Sequence, residues 1–371
     1  MNILIGYSYY PSRYTNVKID IENWVSRLRT AGFDIDSFCL TPNPPDNAIY
    51  WPLLDHKWKF GDKSLLKLYD NLAKKLLNYD VFFNLNGINL HPEFVRQLNG
   101  VKVYACFDDP DSSEKLSKPV ASYYDLCLVG NAAEVNTYKN WGVKNAFFWP
   151  FGFQEQDYNP NLTEDMILNR DRDIDLLLIC EKKNCNERIK KLERYSDAFP
   201  EGKYYGEGWK NSVLPENQKI ALLQRTKIGP NFHNSTGPVN FRTFILPANG
   251  VMQICDNKNN LNSVFELGKE IIGFNTVDEA IELTKYYLAH DEERIKIAVA
   301  GWERAIKDYN EINTFQKAVD YIKLVIKSNN LNNNKFNYKR ICLKLKKHKR
   351  IIFFNKIVYI IKNYFQKIFL T

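Results

Sequence analysis

Residues 227–275, KIGPNFHNSTGPVNFRTFILPANGVMQICDNKNNLNSVFELGKEIIGF, hold the densest set of side chains able to do chemistry. A β-type run leads into a Gly/Ser/Thr/Asn loop, and a helical run follows whose first turn carries Asn240 and Arg242. Backbone N–H groups at a helix start, at the positive end of the dipole, form a site for phosphate. A nearby guanidinium would neutralise a departing diphosphate. Gly237-Pro238 ahead of a helix is also ordinary turn chemistry. Upstream, Asp108, Asp109 and Asp111 follow the apolar run VKVYACF and could serve as a general base or an acceptor contact, or simply as a solvated acidic turn. Of the five histidines only His233 is placed in the candidate phosphate loop, and a lone histidine is more often structural. The seven cysteines include no C-x-x-C pair, and Cys180 and Cys185 have no nearby partner set, so no metal site is expected. A reduced compartment fits that cysteine usage.

Alternating β-type and helical patterns must position these residues. ILIGY (3–7), DIDSFCL, DVFFNLN, VKVYACF, DLCLVG and NAFFWPF read as strands with helices between them, one of which places Leu65, Tyr69, Leu72 and Leu76 on one face. Periodicity lapses through the polar segment ending near Arg172 and then resumes with the strands DIDLLLIC, GKYYGEG, TKIGPNF, VMQICD and EIIGF. Thr276 to Glu279 has the form of a capping box. The prediction is an α/β protein with two Rossmann-like domains, 1–155 and 173–330, joined by a linker at 156–172, with the last helix free to cross back to the first domain. Strand C-terminal edges would face a cleft between the two.

The net charge of +8 conceals a segregation. Residues 331–371 carry eleven Lys and Arg and no acid, which leaves the first 330 residues at about −3. A slightly acidic body argues against nucleic acid as a partner. On a helix, Phe353, Ile357, Ile360, Tyr364 and Ile368 share one side and Lys356, Lys362 and Lys367 the other. Too many lysines interrupt the segment for it to span a bilayer, so it reads as an interfacial helix at an anionic membrane surface or as a helix docked on protein. The N-terminus lacks the pattern of a signal peptide, and the expected location is cytoplasmic, at the inner face of the cell membrane.

The order and spacing of Asn240-Phe-Arg-Thr-Phe244, Ala248-Asn-Gly250, Val264 to Ile272, Asp278-Glu-Ala, Tyr286-Tyr-Leu and Asp291 to Arg294 resemble the C-terminal half of group 1 glycosyltransferases of the CgeB-like, spore-maturation-protein type. VYACFDDPD and the stretch from DLCLVG to WPFGF are similar, more loosely, to that family's first half. The resemblance implies a GT-B fold, a nucleoside-diphosphate-sugar donor (UDP favoured, GDP or dTDP as alternatives), a glycan or lipid-linked acceptor, retention of configuration and no required metal or other cofactor. It further implies that Glu266 bonds the donor ribose, that Arg242 and the loop Gly237 to Asn240 lie near the diphosphate with Asn231 and Lys227, and that Gly6 and Tyr7 bring backbone close to the phosphates. Family members have Arg-x-Phe-Glu where this chain has Arg242-Thr-Phe-Ile245, which removes a carboxylate expected near the donor sugar. A scaffold or glycan-binding subunit that kept the fold without turnover is the alternative reading. No G-x-G-x-x-G follows any strand, which argues against a nicotinamide oxidoreductase.

Overall fold

The computed structural model describes residues 1–9, 17–42, 49–86, 89–183, 186–234, 240–256, 258–331 and 334–368. Six strands, β1 (Ile3–Tyr7), β2 (Ile35–Cys39), β3 (Val81–Leu85), β4 (Val101–Cys106), β5 (Leu126–Val129) and β6 (Ala146–Phe148), form a first sheet in the order β2-β1-β3-β4-β5-β6. Five more, β7 (Ile174–Ile179), β8 (Lys203–Tyr205), β9 (Thr226–Asn231), β10 (Met252–Cys255) and β11 (Ile272–Gly273), form a second in the order β11-β10-β9-β7-β8. All the pairings within the two sheets are parallel. Parallel strands covered on both faces read as unbroken apolar runs, and β4 is buried at every position. The first sheet is flanked by one core containing Leu4, Phe82 and Tyr104 and another containing Ile3, Ile5 and Phe83, as period-2 alternation requires. Thr276 caps its helix as the motif predicts, accepting from Glu279 N at 3.1 Å.

Both sheets follow one winding rule: the second strand lies outside the first, and the third pairs on the first strand's other side. The order therefore reverses between β1 and β3, and again between β7 and β9, and ligands of such sheets bind outside the strand carboxyl ends at that reversal. In the second sheet the β7–β9 register runs from Ile174↔Thr226 to Leu176↔Ile228 and stops short of Pro230, which has no N–H to give a ladder. The hydrogen-bonded pairing ends there.

The chain crosses between sheets twice. The stretch after β6 meets the return segment before helix Glu311–Ser328, where Trp149 Nε1 donates to Thr314 O at 2.7 Å and Phe153 N to Tyr309 O at 3.0 Å. Gly152 has φ +69°, and a Cβ there would collide with the Tyr309 carbonyl oxygen. Helix Val17–Thr30 clamps the start of the return helix through Arg27, whose Nε and Nη2 donate to Glu311 at 2.5 and 2.8 Å. Phe315, Ala318, Ile322 and Val325 of the return helix pack under the first sheet, so the last helix does cross back. The predicted linker 156–172 is ordered: it carries helix Glu164–Asn169, whose Ile167 is buried in the second domain's core.

The basic segment is one helix, Tyr338–Ile368, and it is only partly an appendage. Ile341, Leu345 and Ile352 join Phe336 in the first domain's core, and Tyr338 OH donates to Asp70 Oδ1 at 3.0 Å. Beyond Ile352 the helix leaves the body, and Phe353, Phe354, Val358 and Ile361 are exposed. The side chains of Ile360, Tyr364 and Ile368, placed on the same predicted stripe as Phe353, lie outside the described residues. Among the described residues no helix is long and apolar enough to cross a membrane. All six cysteines described are free.

Candidate functional site

The two reversals face each other across one cleft with two lobes. The first lobe, about 530 Å³, is lined from the second domain by Glu181 and Lys183 after β7, by His233 after β9, and by Arg188, Asn240 and Arg242. The second, about 430 Å³, lies in the first domain against Tyr7 and Tyr9 after β1, Asn86 after β3, and Trp24 and Tyr50. Phe107, Asp108, Phe151 and Phe241 line both. Phe151 packs between the other two rings, 4.5 Å from Phe107 and 4.4 Å from Phe241 by centroid.

Asn231, fully buried at the end of β9, organises the first lobe. Its Nδ2 donates to Gln253 Oε1 at 2.8 Å, and its Oδ1 accepts from Asn240 Nδ2 at 2.9 Å and from Arg242 Nε at 3.0 Å. Asn240 is the N-cap of helix Phe241–Ala248, accepting from Thr243 N at 3.1 Å. The first-turn N–H groups of a helix have no intrahelical acceptor. Arg242 also donates to Phe232 O at 3.1 Å, and burial, with Arg188 close by, holds its pKa below the usual guanidinium value. Arg188, on helix Asn186–Ala198, donates to Phe232 O at 3.1 Å and to Glu181 O at 2.7 Å, bridging the segments that follow β7 and β9. Its partners there are carbonyls, so neither bond cancels its charge. His233 is buried, with Nδ1 2.5 Å from Asp256 Oδ1 and its backbone N donating to Asp256 Oδ2 at 2.9 Å. Its Nε2 has no hydrogen-bond partner among the described residues. His233, Cys255 and Asp256 bring potential ligand atoms within 4.8 Å of one another, a grouping not expected from the sequence.

On the opposite wall, Asn86 at φ +60° donates to Asp108 Oδ2 at 3.0 Å. Asp108 is exposed to the cleft, and its pKa is raised by desolvation first and then by Asp109 and Asp111. Asp109 is buried: Tyr138 OH donates to its Oδ2 at 2.5 Å, and its Oδ1 has no partner among the described residues.

Asp108, Asp109, His233, Asn240 and Arg242 thus line one lobe with Asn231 buried behind them, and four other candidates stand elsewhere. Gly6 is buried in β1, where a Cβ would come within 2.8 Å of the Phe82 ring, so its lack of a side chain serves packing. Tyr7 faces the first-domain lobe, its hydroxyl donating to Glu22 at 3.3 Å, and does not line the lobe of Arg188 and Arg242. Lys227 sits at the start of β9, opposite the cleft end, and pairs with Asp175 at 2.6 Å. Glu266 is exposed, pairs with Lys269 at 3.0 Å and lines neither lobe. Gly237 lies outside the described residues. Ile245 packs in the second domain's core with Phe244 and Leu246, so its helix position faces apolar neighbours. Arg188, Lys183 and Asp256 were missed. The strand ends at Ile179 and Asn231, both legible, were the signal that would have found them.

Residues 183–320 match the family model described as glycosyl transferase-like. The chain has the GT-B fold, and its second domain carries the match to the glycosyltransferase family. Solved structures similar to this chain include HepE of Anabaena in complex with UDP and glucose, at 13% identity and a TM-score of 0.57, covering 87% of this chain and 100% of that one. Sucrose-phosphate synthase of Thermosynechococcus elongatus is similar at 12% identity and a TM-score of 0.62, covering 87% and 99%. A glycosyltransferase of Rickettsia africae is similar at 12% identity and a TM-score of 0.56, covering 88% and 98%. At such identities the likeness concerns the fold. Comparison with curated protein sequences gives no match.

Proposed function

We propose that the protein moves a sugar from a nucleoside-diphosphate sugar, with UDP as the carrier, onto a glycan or lipid-linked acceptor. One observation carries this reading: Asp108 stands in the wall shared by the lobe that holds Arg188 and Arg242, facing Asp109, Asp111 and Glu181, and an aromatic, polar lobe. A diphosphate against Arg242, Arg188 and the first turn of helix Phe241–Ala248 directs its sugar toward Phe107 and Asp108. An acceptor hydroxyl entering from the Tyr7 and Tyr50 side reaches the same carboxylate. The bond from the anomeric carbon to the phosphate oxygen breaks, the bond to the acceptor oxygen forms, and the hydroxyl proton passes to Asp108. Asp109 assists by its adjacent charge, which raises the proton affinity of Asp108. Arg188 and Arg242 take up the charge of the departing UDP. The bound complexes of HepE, solved with UDP and with UDP-glucose, support UDP as carrier. The CgeB-like subtype rests on the motif pattern around Arg242; the family resemblance implies retention, whereas a single displacement with Asp108 as base gives inversion, and proton NMR of the product's anomeric signal decides between them.

The deciding test is melting temperature with UDP, GDP and dTDP, followed by donor hydrolysis with EDTA present. UDP is expected to raise the melting temperature most, and hydrolysis is expected to persist in EDTA, because guanidinium groups supply the counter-charge. Loss in EDTA, restored by a divalent ion, would shift that role to a metal and direct attention to His233, Cys255 and Asp256. No response to any nucleotide would favour the scaffold reading.

The free end of the tail helix supports a second part of the proposal, a cytoplasmic protein resting on an anionic membrane surface. Exposed Phe353, Phe354, Val358 and Ile361 alternate with lysines, which suits the headgroup boundary. Deleting 331–371 would strip Phe336, Ile341 and Leu345 from the core, so the informative cut removes 353–371. That variant is expected to lose sedimentation with phosphatidylglycerol vesicles while keeping its UDP response. Undiminished sedimentation would remove the membrane assignment.

A further inference from the structure

A second cavity of about 920 Å³ opens on the first domain where the tail helix docks, and it shares no lining residue with either lobe of the cleft. One wall is a run of stacked rings. Trp51 stacks on His91 at 5.7 Å, His91 on Trp58 at 5.0 Å, and Trp58 on His348 of the tail helix at 3.8 Å. His91 Nε2 lies 3.2 Å from Asp55 Oδ1 and His348 Nε2 3.1 Å from Trp58 O, which fixes the imidazoles in the wall. Phe60, 57% exposed, and half-buried Tyr123 present further ring surface to the space.

The charges around this wall are already matched. Lys59 pairs with Asp55 at 2.6 Å, Lys118 with Glu114 at 2.6 Å, and Glu93 with Arg96 at 3.3 Å. Burial also depresses the pKa of both histidines, which keeps them neutral at pH 7. Among the described lining residues, none offers an unmatched cation to an anionic ligand. An uncharged, polyhydroxylated one finds flat apolar surfaces for its ring faces and carboxylates to accept its hydroxyls. The volume lies within the ordinary range for ligand sites, roughly 300–1,000 Å³.

Position ties the cavity to the cleft. Tyr50 lines the first-domain lobe while the next residue, Trp51, lines the cavity. The segment after β4 likewise runs from Asp108 in the cleft to Lys118 and Pro119 in the cavity. Trp51 N donates to Lys115 O at 3.1 Å, joining the two segments into one partition. We infer that this cavity binds an uncharged oligosaccharide segment of the acceptor, some sugars away from the hydroxyl that reacts. Its assignment to the acceptor rests on the transferase reading above.

The test presents the full-length protein to an array of uncharged hexose and N-acetylhexosamine oligosaccharides, with UDP-induced melting shifts measured alongside. Wild type is expected to retain at least one oligosaccharide, and Phe60→Ala and Trp51→Leu to lower that binding about tenfold or more while keeping the UDP shift, which certifies their fold. Retention of no oligosaccharide by wild type, or equal retention by both variants, would overturn the inference. So would a Phe60→Ala defect seen on phosphatidylglycerol vesicles in place of glycans. If UDP gives no shift while glycan binding falls in the variants, the oligosaccharide site stands and the transferase reading is what fails.

Discussion

Arg242→Ala is expected to lower kcat/KM for the donor by about 100- to 1,000-fold, the size of effect seen when one preorganised donor to a developing negative charge is removed. Arg242 is aimed by two bonds, Nε to Asn231 Oδ1 and Nη2 to Phe232 O, so the guanidinium meets a diphosphate without reorganising. Its loss should not unfold the site. Asn231 Oδ1 keeps its bond from Asn240 Nδ2, and Phe232 O keeps the one from Arg188 Nε. The variant should therefore melt near wild type without ligand but lose most of the UDP-induced shift. Arg242→Lys keeps the charge and loses the planar fork, and should fall between the two. A UDP shift of wild-type size in the alanine variant would remove Arg242 from the donor site.

The second large effect has two signs in one residue. Asp108→Asn is expected to reduce kcat by about 100- to 10,000-fold, the range for a lost general base. The same change should raise the melting temperature at pH 7. Desolvation, together with Asp109 and Asp111, lifts the pKa of Asp108 in the folded chain. A carboxyl with a raised folded-state pKa contributes stability below its unfolded pKa and loses it as pH rises through the folded value, so the ionised form at pH 7 is a strained one. Asparagine keeps an acceptor for Asn86 Nδ2 and carries no charge. The variant's thermal advantage should accordingly shrink as pH falls and vanish below the ordinary carboxylate range, near about 4. In wild type the acidic limb of the kcat/KM profile should lie above that range. Turnover of the variant within threefold of wild type would remove Asp108 from the reaction; an unchanged melting temperature at pH 7 would dispose of the strained-charge account.

Much of the fold could be read from the chain because parallel strands buried on both faces announce themselves. DVFFNLN and VKVYACF are such runs, and they are β3 and β4. Asn240 and Arg242 were legible for a local reason: N-cap chemistry and helix-start phosphate sites act within a few residues. What escaped depends on neighbours distant in sequence. The steric demand on Gly6 comes from Phe82, 76 positions away. Arg188 matters because it bridges the segments after β7 and β9, which only strand pairing brings together. Lys227 stands at the amino end of β9, whereas the crevice lies at the carboxyl ends of the strands, a distinction that depends on strand direction. Glu266 was assigned through resemblance, and its surroundings are solvent and Lys269. In the tail, the docking stripe Ile341, Leu345, His348 and Ile352 contains a histidine that reads as one more basic residue but acts as an aromatic plate on Trp58.

Gly152 fixes how such a molecule can move. Because the outgoing and returning segments touch there, hydrogen-bonded from Phe153 N to Tyr309 O with no space for a side chain, the two lobes of the cleft are joined by a paired strap. A single thread would let one domain swivel freely about its axis. A double one resists twisting and leaves bending as the soft direction, so Asp108 and Arg242 approach and separate along a nearly fixed arc.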